Sequence, residues 1–128
     1  MIEKISTEQI ENILDHLPVE VSFVDADDTI RYYSHGEKRI FRRTPAVIGR
    51  KVQNCHPPNS VHKVQQILDD FKSGKRDVAE FWINLHGRVI YIRYFAVRGK
   101  DNKYEGVLEV TQDITDIKKI EGEKRLLD

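Results

Sequence analysis

Cysteine is nearly missing from this chain: Cys55 is the only one in 128 residues. No intramolecular disulfide can form. A zinc site of four cysteines, or an iron–sulfur cluster held by cysteines alone, is excluded within one chain. That usage is consistent with a reducing cytoplasm. No apolar run approaches the roughly 20 residues of a membrane-spanning helix, and the N-terminus "MIEKISTEQIENI" is charged throughout. The expectation is a soluble, cytoplasmic protein. An excess charge of either sign is also lacking, because 21 basic and 21 acidic residues cancel. That balance removes the electrostatic argument for nucleic acid or an anionic membrane as a partner. The one basic cluster, "EKRIFRR" at 37–43, is short and interleaved with apolar residues. It is read as a solvated face in preference to a phosphate-binding patch. No internal repeat and no low-complexity segment is present.

The length fits one domain with a hydrophobic core of its own. In "STEQIENILDHLP", Ser6 and Gln9 have capping-box spacing, Ile10, Ile13, Leu14 and Leu17 recur at helical intervals, and Pro18 stops the helix. "VEVSFVD" alternates, with Val19, Val21 and Phe23 on one side and Glu20 and Ser22 on the other; "ADD" turns and "TIRYYS" returns. "RTPAVIGR" carries the order of signals for a short helix: Thr44 as cap, Pro45 first, Gly49 as stop. "NSVHKVQQILDDFKSG" predicts a helix of about four turns, capped by Asn59 or Ser60 and ended by Gly74. Val61, Val64, Ile67, Leu68 and Phe71 form its apolar stripe. "DVAEFWINL", "RVIYIRYFAVR" and "YEGVLEVTQDI" predict three strands, with "HGR" and "GKDNK" as hairpin turns. "TDIKKIEGEKRLLD" predicts a C-terminal helix capped by Thr115, with Ile117, Ile120 and Leu127 on one side. The expected architecture is α+β: a five-stranded antiparallel sheet, helices over one face, and a helix at each terminus.

That element order resembles a PAS domain over about residues 8–127. The hairpin "VSFVDADDTIRYYS" is similar to the first two PAS strands, and "RTPAVIGRKV" to the segment that precedes the long PAS helix. "VLEVTQDITDIKKIE" is similar to the PAS exit, where "DIT" closes the last strand and starts a signalling helix. "RKVQNCHPPNSVHKV", "FKSGKRDVAEFWI" and "IYIRYFAVR" resemble the PAS domains found beside hemerythrin-like domains in prokaryotic proteins. The resemblance implies a terminal helix at 1–17, a PAS core at 18–114 and a signalling helix at 115–128. It implies a sensory and docking module without enzymatic activity. Its pocket between sheet and helices can hold heme, flavin, a metal ion or a small metabolite, or stay empty, and its terminal helices pair domains into homodimers. A hemerythrin-like or other signalling domain is the implied neighbour.

The stretch "QNCHPPNSVHKV" concentrates the candidate chemistry. Cys55 is either a soft metal ligand or redox-sensitive thiol, favoured by a helix N-terminus and an adjacent histidine, or a small buried hydrophobe. His56 is either a heme or metal ligand or a loop histidine bonded to nearby backbone. His62 resembles the helix histidine of heme-binding PAS domains. At about 100° per residue, however, it lies opposite the Val64–Leu68–Phe71 stripe, which points it to solvent or a partner. Pro57 and Pro58 stiffen the approach to the helix in either case. From the sheet, Trp82, Tyr91, Arg93, Tyr94 and Phe95 are expected to supply the other pocket wall. Arg93 is a candidate for a ligand carboxylate, or else a charge on the solvent face. His16, His35 and His86 read as loop or helix-end residues.

Two cofactors are not expected. The Gly-Arg-Asn-Cys run of LOV flavin photoreceptors is broken here, where Lys51-Val52 follows Gly49-Arg50 and "HPPN" follows Cys55. A c-type heme lacks its Cys-x-x-Cys-His. An enzyme built on Cys55 and His56 as nucleophile and base lacks a third orienting group. The two surviving functions are a ligand- or cofactor-binding sensor and a cofactor-free interaction and homodimerisation module.

Overall fold

The computed structural model of the chain describes residues 1–127. The capping box forms as expected: Gln9 N donates to Ser6 Oγ at 3.0 Å and Ser6 N to Gln9 Oε1 at 2.9 Å. Together they start helix α1, Thr7–Asp15. Strands β1 (Glu20–Asp25) and β2 (Ile30–Tyr33) make the first hairpin. An irregular segment with two short 3-10 turns, Pro45–Val47 and Val52–Cys55, leads to helix α2, Val61–Ser73. Gly74 ends α2 at φ 79°, the left-handed conformation that glycine adopts without a Cβ penalty. Strands β3 (Val78–Leu85), β4 (Arg88–Arg98) and β5 (Tyr104–Asp113) complete one antiparallel sheet of order β2-β1-β5-β4-β3.

The register decides what each face does. Ser22 pairs with Glu109, Tyr94 with Glu109, and Ala79 with Tyr94, so these residues share one face. In the same parity lie Glu20, Val24, Phe81, Ile92, Val107 and Thr111. This inner face meets α2. At one end it is a dry core of Val24, Ile30, Val52, Leu68, Phe71, Ala79 and Val107. Its other end is polar. The parity of β1 that looks outward by alternation, Glu20 and Ser22, points inward instead, and both residues are buried. Val21 and Phe23 lie on the outer face, with Trp82, Tyr91, Arg93 and Phe95.

Two helices expected from sequence are reduced. "RTPAVIGR" makes a single 3-10 turn, and Thr44 gives no side-chain cap. Its backbone is taken by β2 instead: Gly49 N donates to Ile30 O at 2.8 Å and Ile30 N to Arg50 O at 2.9 Å. The C-terminal helix is also corrected. Only Ile117–Lys119 forms a 3-10 turn, and Gly122 and Leu126 have positive φ; position 128 lies outside the described residues. Thr115 does not cap it. Its hydroxyl donates to Asp113 Oδ1 at 2.7 Å and accepts from Val89 N at 2.8 Å, closing the sheet. Ile120 and Leu127 stay exposed, and a segment this short with no surface to pack on is marginal as a helix. The N-terminal helix is held mainly by polar contacts: His35 N donates to Asp15 Oδ1 at 2.9 Å and His35 Nε2 to Leu17 O at 3.0 Å.

Two substitutions test this packing. Phe71 is fully buried in the dry core, so Phe71→Ala should cost about 3–5 kcal/mol, read as a lower urea midpoint at unchanged slope. Gly106 sits at φ 144°, where a Cβ would meet the Val24 carbonyl oxygen at 2.1 Å. Gly106→Ala should therefore cost upwards of about 2 kcal/mol by the same titration. The Cβ of a Gly99→Ala variant would meet only the flexible Glu105 side chain, and that variant should be nearly neutral.

Candidate functional site

Between the polar half of the inner face, the N-terminal half of α2 and the 39–60 segment lies a cavity of about 820 Å³. Its apolar lining includes Phe41, Val64, Ile67, Phe81 and Ile92. The segment is fixed in place by Arg39, whose side chain is only 4% exposed. The guanidinium donates to Ser34 O at 2.8 Å, Val21 O at 3.2 Å, Ser22 Oγ at 3.2 Å and Phe41 O at 3.2 Å. It lies 3.8 Å from Glu20 Oε1, and Glu20 Oε2 in turn accepts from Ile40 N. Burial pulls the Arg39 pKa down, and the Glu20 carboxylate opposes that pull.

With Arg39 anchored, the next turn of chain places Arg42 and Arg43 on the cavity wall. Arg43 Nη2 donates to Glu109 Oε2 at 3.3 Å, with both side chains largely buried. Burial raises the Glu109 pKa, and Arg43 and then Arg39 counter it. Arg43 Nε is buried without a hydrogen-bond partner among the described residues. The cluster 37–43 was expected as a solvated face; Arg39 and Arg43 are instead among the most enclosed charges near the cavity. Charge composition pointed to solvent, but the buried acids Glu20 and Glu109 on β1 and β5 draw these guanidinia inward.

The sequence candidates separate by position. Cys55, His56 and Tyr94 come together on the cavity wall, beside Pro57. The Cys55 thiol is half-buried and donates to Lys51 O at 3.9 Å. His56 is half-buried, and its pKa is lowered by burial first and by Arg43 second. Burial pushes the Tyr94 phenol well up, so it stays protonated, and its ring stands edge-on to Phe81 at 5.5 Å. His62 is exposed on α2 and lines no part of the cavity. Trp82, Tyr91, Arg93 and Phe95 do not line it either, because their parity puts them on the outer face. There Arg93 lies over the rings of Tyr91 at 4.9 Å and Phe95 at 5.7 Å, and the Tyr91 hydroxyl donates to Glu80. The sequence reading missed Ser22, Arg39, Arg43, Glu109 and Thr111. The available signal was a serine at 22 and a carboxylate at 109, each with an apolar residue on either side. Among the described residues, no group of three or more His, Cys, Asp or Glu side chains could hold a metal ion.

Comparison with known proteins agrees with this fold. A family model described as PAS domain matches residues 10–115. The crystal structure of a C-terminal domain from Streptococcus mutans is similar at 37% identity and a TM-score of 0.85, over 91% of each chain. The PAS domain of a Colwellia psychrerythraea protein shares the fold at 16% identity and a TM-score of 0.61, over 85% of this chain and 97% of that one. A sensory box sensor histidine kinase from Vibrio cholerae does so at 16% identity and 0.60, over 89% and 94%. No curated protein sequence matches the chain. The chain belongs to the PAS domain family.

The lowered pKa of His56 has a measurable sign. Below about pH 6.5, the ordinary value for histidine, the unfolded chain takes up a proton that folded His56 does not. Stability therefore falls as pH drops from that value toward the lower folded one. His56→Gln removes this contribution, so its urea midpoint should decline less than wild type between pH 7 and pH 5. Parallel declines would show that His56 is not shielded.

Proposed function

We propose that this PAS domain is a non-enzymatic sensory signalling module. A small ligand or cofactor enters the cavity between sheet and α2 and shifts the terminal segments, and through them a partner. The observation that carries this reading is the cavity itself, about 820 Å³ with an apolar lining and a few convergent polar groups, the character of a small-molecule site. A relay is available in the covalent path: β5 carries Glu109 and Thr111 on the cavity wall, and Asp113 and Thr115 at its exit. The motif resemblance supports a hemerythrin-like or other signalling domain as the neighbour. A cytoplasmic setting is supported by the lone cysteine; among the described residues no helix is long and apolar enough to cross a membrane.

Heme is one cofactor the wall residues fit. His56 is the residue that would ligate the iron, since burial favours the neutral imidazole that ligates metals. Cys55 is the neighbouring soft ligand. A metal site closed by protein side chains alone has less support, because Cys55 and His56 find no third ligand among the described residues. The second reading is a cofactor-free homodimerisation module. It is favoured by the outer face, where Trp82 is 66% exposed on the same parity as Tyr91 and Phe95, and by exposed Ile117 and Ile120.

The test is an absorption spectrum, metal analysis and native mass of freshly purified protein, repeated for His56→Ala. A Soret band or a stoichiometric metal lost in the variant is the result expected of the cofactor form. A colourless bound mass supports a metabolite sensor. A bare, metal-free mass that takes up no added small molecule, in a protein that dimerises, overturns the ligand reading in favour of the interaction module.

A further inference from the structure

We propose that the cavity is selective for an amphipathic anion: a carboxylate on an alkyl or aryl body, held with its head at Arg43, Arg42 and Lys63. This rests on the ligand-binding reading above and specifies its chemistry. The first support is local charge. The chain as a whole has 21 basic and 21 acidic residues, yet the cavity wall carries Arg39, Arg42, Arg43 and Lys63 against Glu109 alone. Arg39 is already matched by Glu20 and by four protein acceptors. Glu109 can match only one of the other three.

The second support is an orphaned donor. Arg43 uses Nη2 on Glu109, while its Nε is buried with no partner among the described residues. A guanidinium presents its donors as a planar fork suited to a carboxylate. A ligand carboxylate in the cavity would pair with the part of that fork that Glu109 leaves.

The third support is the opposite wall. Phe41, Val64, Ile67, Phe81 and Ile92 offer an apolar surface large enough for the body of the ligand. The Tyr94 phenol, kept protonated by burial, and the Thr111 hydroxyl add neutral polar contacts beside it. A small inorganic anion would leave that apolar wall unused, and a neutral hydrocarbon would leave the cations unmatched.

Isothermal titration with decanoate and 2-naphthoate, each against its own primary amide, reads the selectivity directly. At least one acid should bind tenfold or more tightly than its amide. Arg43→Gln should weaken that acid about tenfold and leave the amide unchanged, with Lys63→Gln acting in the same direction. Equal binding of acid and amide, or no effect of Arg43→Gln on the acid, overturns the anion selectivity while the cavity remains a ligand site. If neither acids nor amides bind and the purified protein carries no small molecule, the ligand reading falls with it. A circular dichroism melt of each variant confirms that the fold is retained. Should Arg43→Gln unfold, Arg42→Gln with Lys63→Gln carries the same test at exposed positions.

Discussion

One buried guanidinium organises the functional half of this domain. Arg39 belongs to a stretch with no regular secondary structure, so nothing in its own backbone holds it against the sheet. Its four hydrogen bonds and its pairing with Glu20 tie that stretch to β1, to the end of β2 and to itself. Charged hydrogen bonds of this kind are roughly twice as strong as neutral ones. A buried charge without partners would cost several kcal/mol, so the arrangement is close to all-or-none. Where Arg39 sits decides where Phe41, Arg42 and Arg43 sit, and they make one wall of the cavity.

The sheet supplies the complementary constraint. Its inner face is dry where Phe71 and Leu68 pack on Val24, Ala79 and Val107. It turns polar where Ser22, Glu109 and Thr111 replace aliphatic residues. These residues cannot close against α2 as a hydrocarbon core would, because burying them unpaired costs more than the contact returns. The same strands thus make a core at one end and a cavity at the other. The outer face, with Arg93 over the rings of Tyr91 and Phe95 and Trp82 beside them, is chemically separate.

Much of this was legible in the sequence. The five strands, the three hairpin turns and α2 follow from period-2 and helical patterns and turn residues, and the capping box and the Gly74 stop occur where residue chemistry places them. His62 could be assigned to the exposed side of α2 by its angle alone, and Cys55 and His56 could be placed beside a stiff helix entrance. What could not be read was side-chain direction in the absence of regular structure. Arg39 and Arg43 look like surface charges until Glu20 and Glu109, far away in sequence, are brought opposite them. Trp82, Tyr91 and Arg93 look like a pocket wall until the register assigns them the other parity. The C-terminal segment has a helical pattern with no surface to pack on, and pattern without burial is not enough.

Preorganisation of the cavity wall by Arg39 is read by amide hydrogen exchange on wild type and Arg39→Met, which removes the charge and keeps an unbranched side chain. The 36–60 segment and the β1–β2 hairpin should lose protection while α2 and the β3–β5 strands keep theirs. Unchanged exchange across 36–60 in a folded variant would show that Arg39 does not hold the wall.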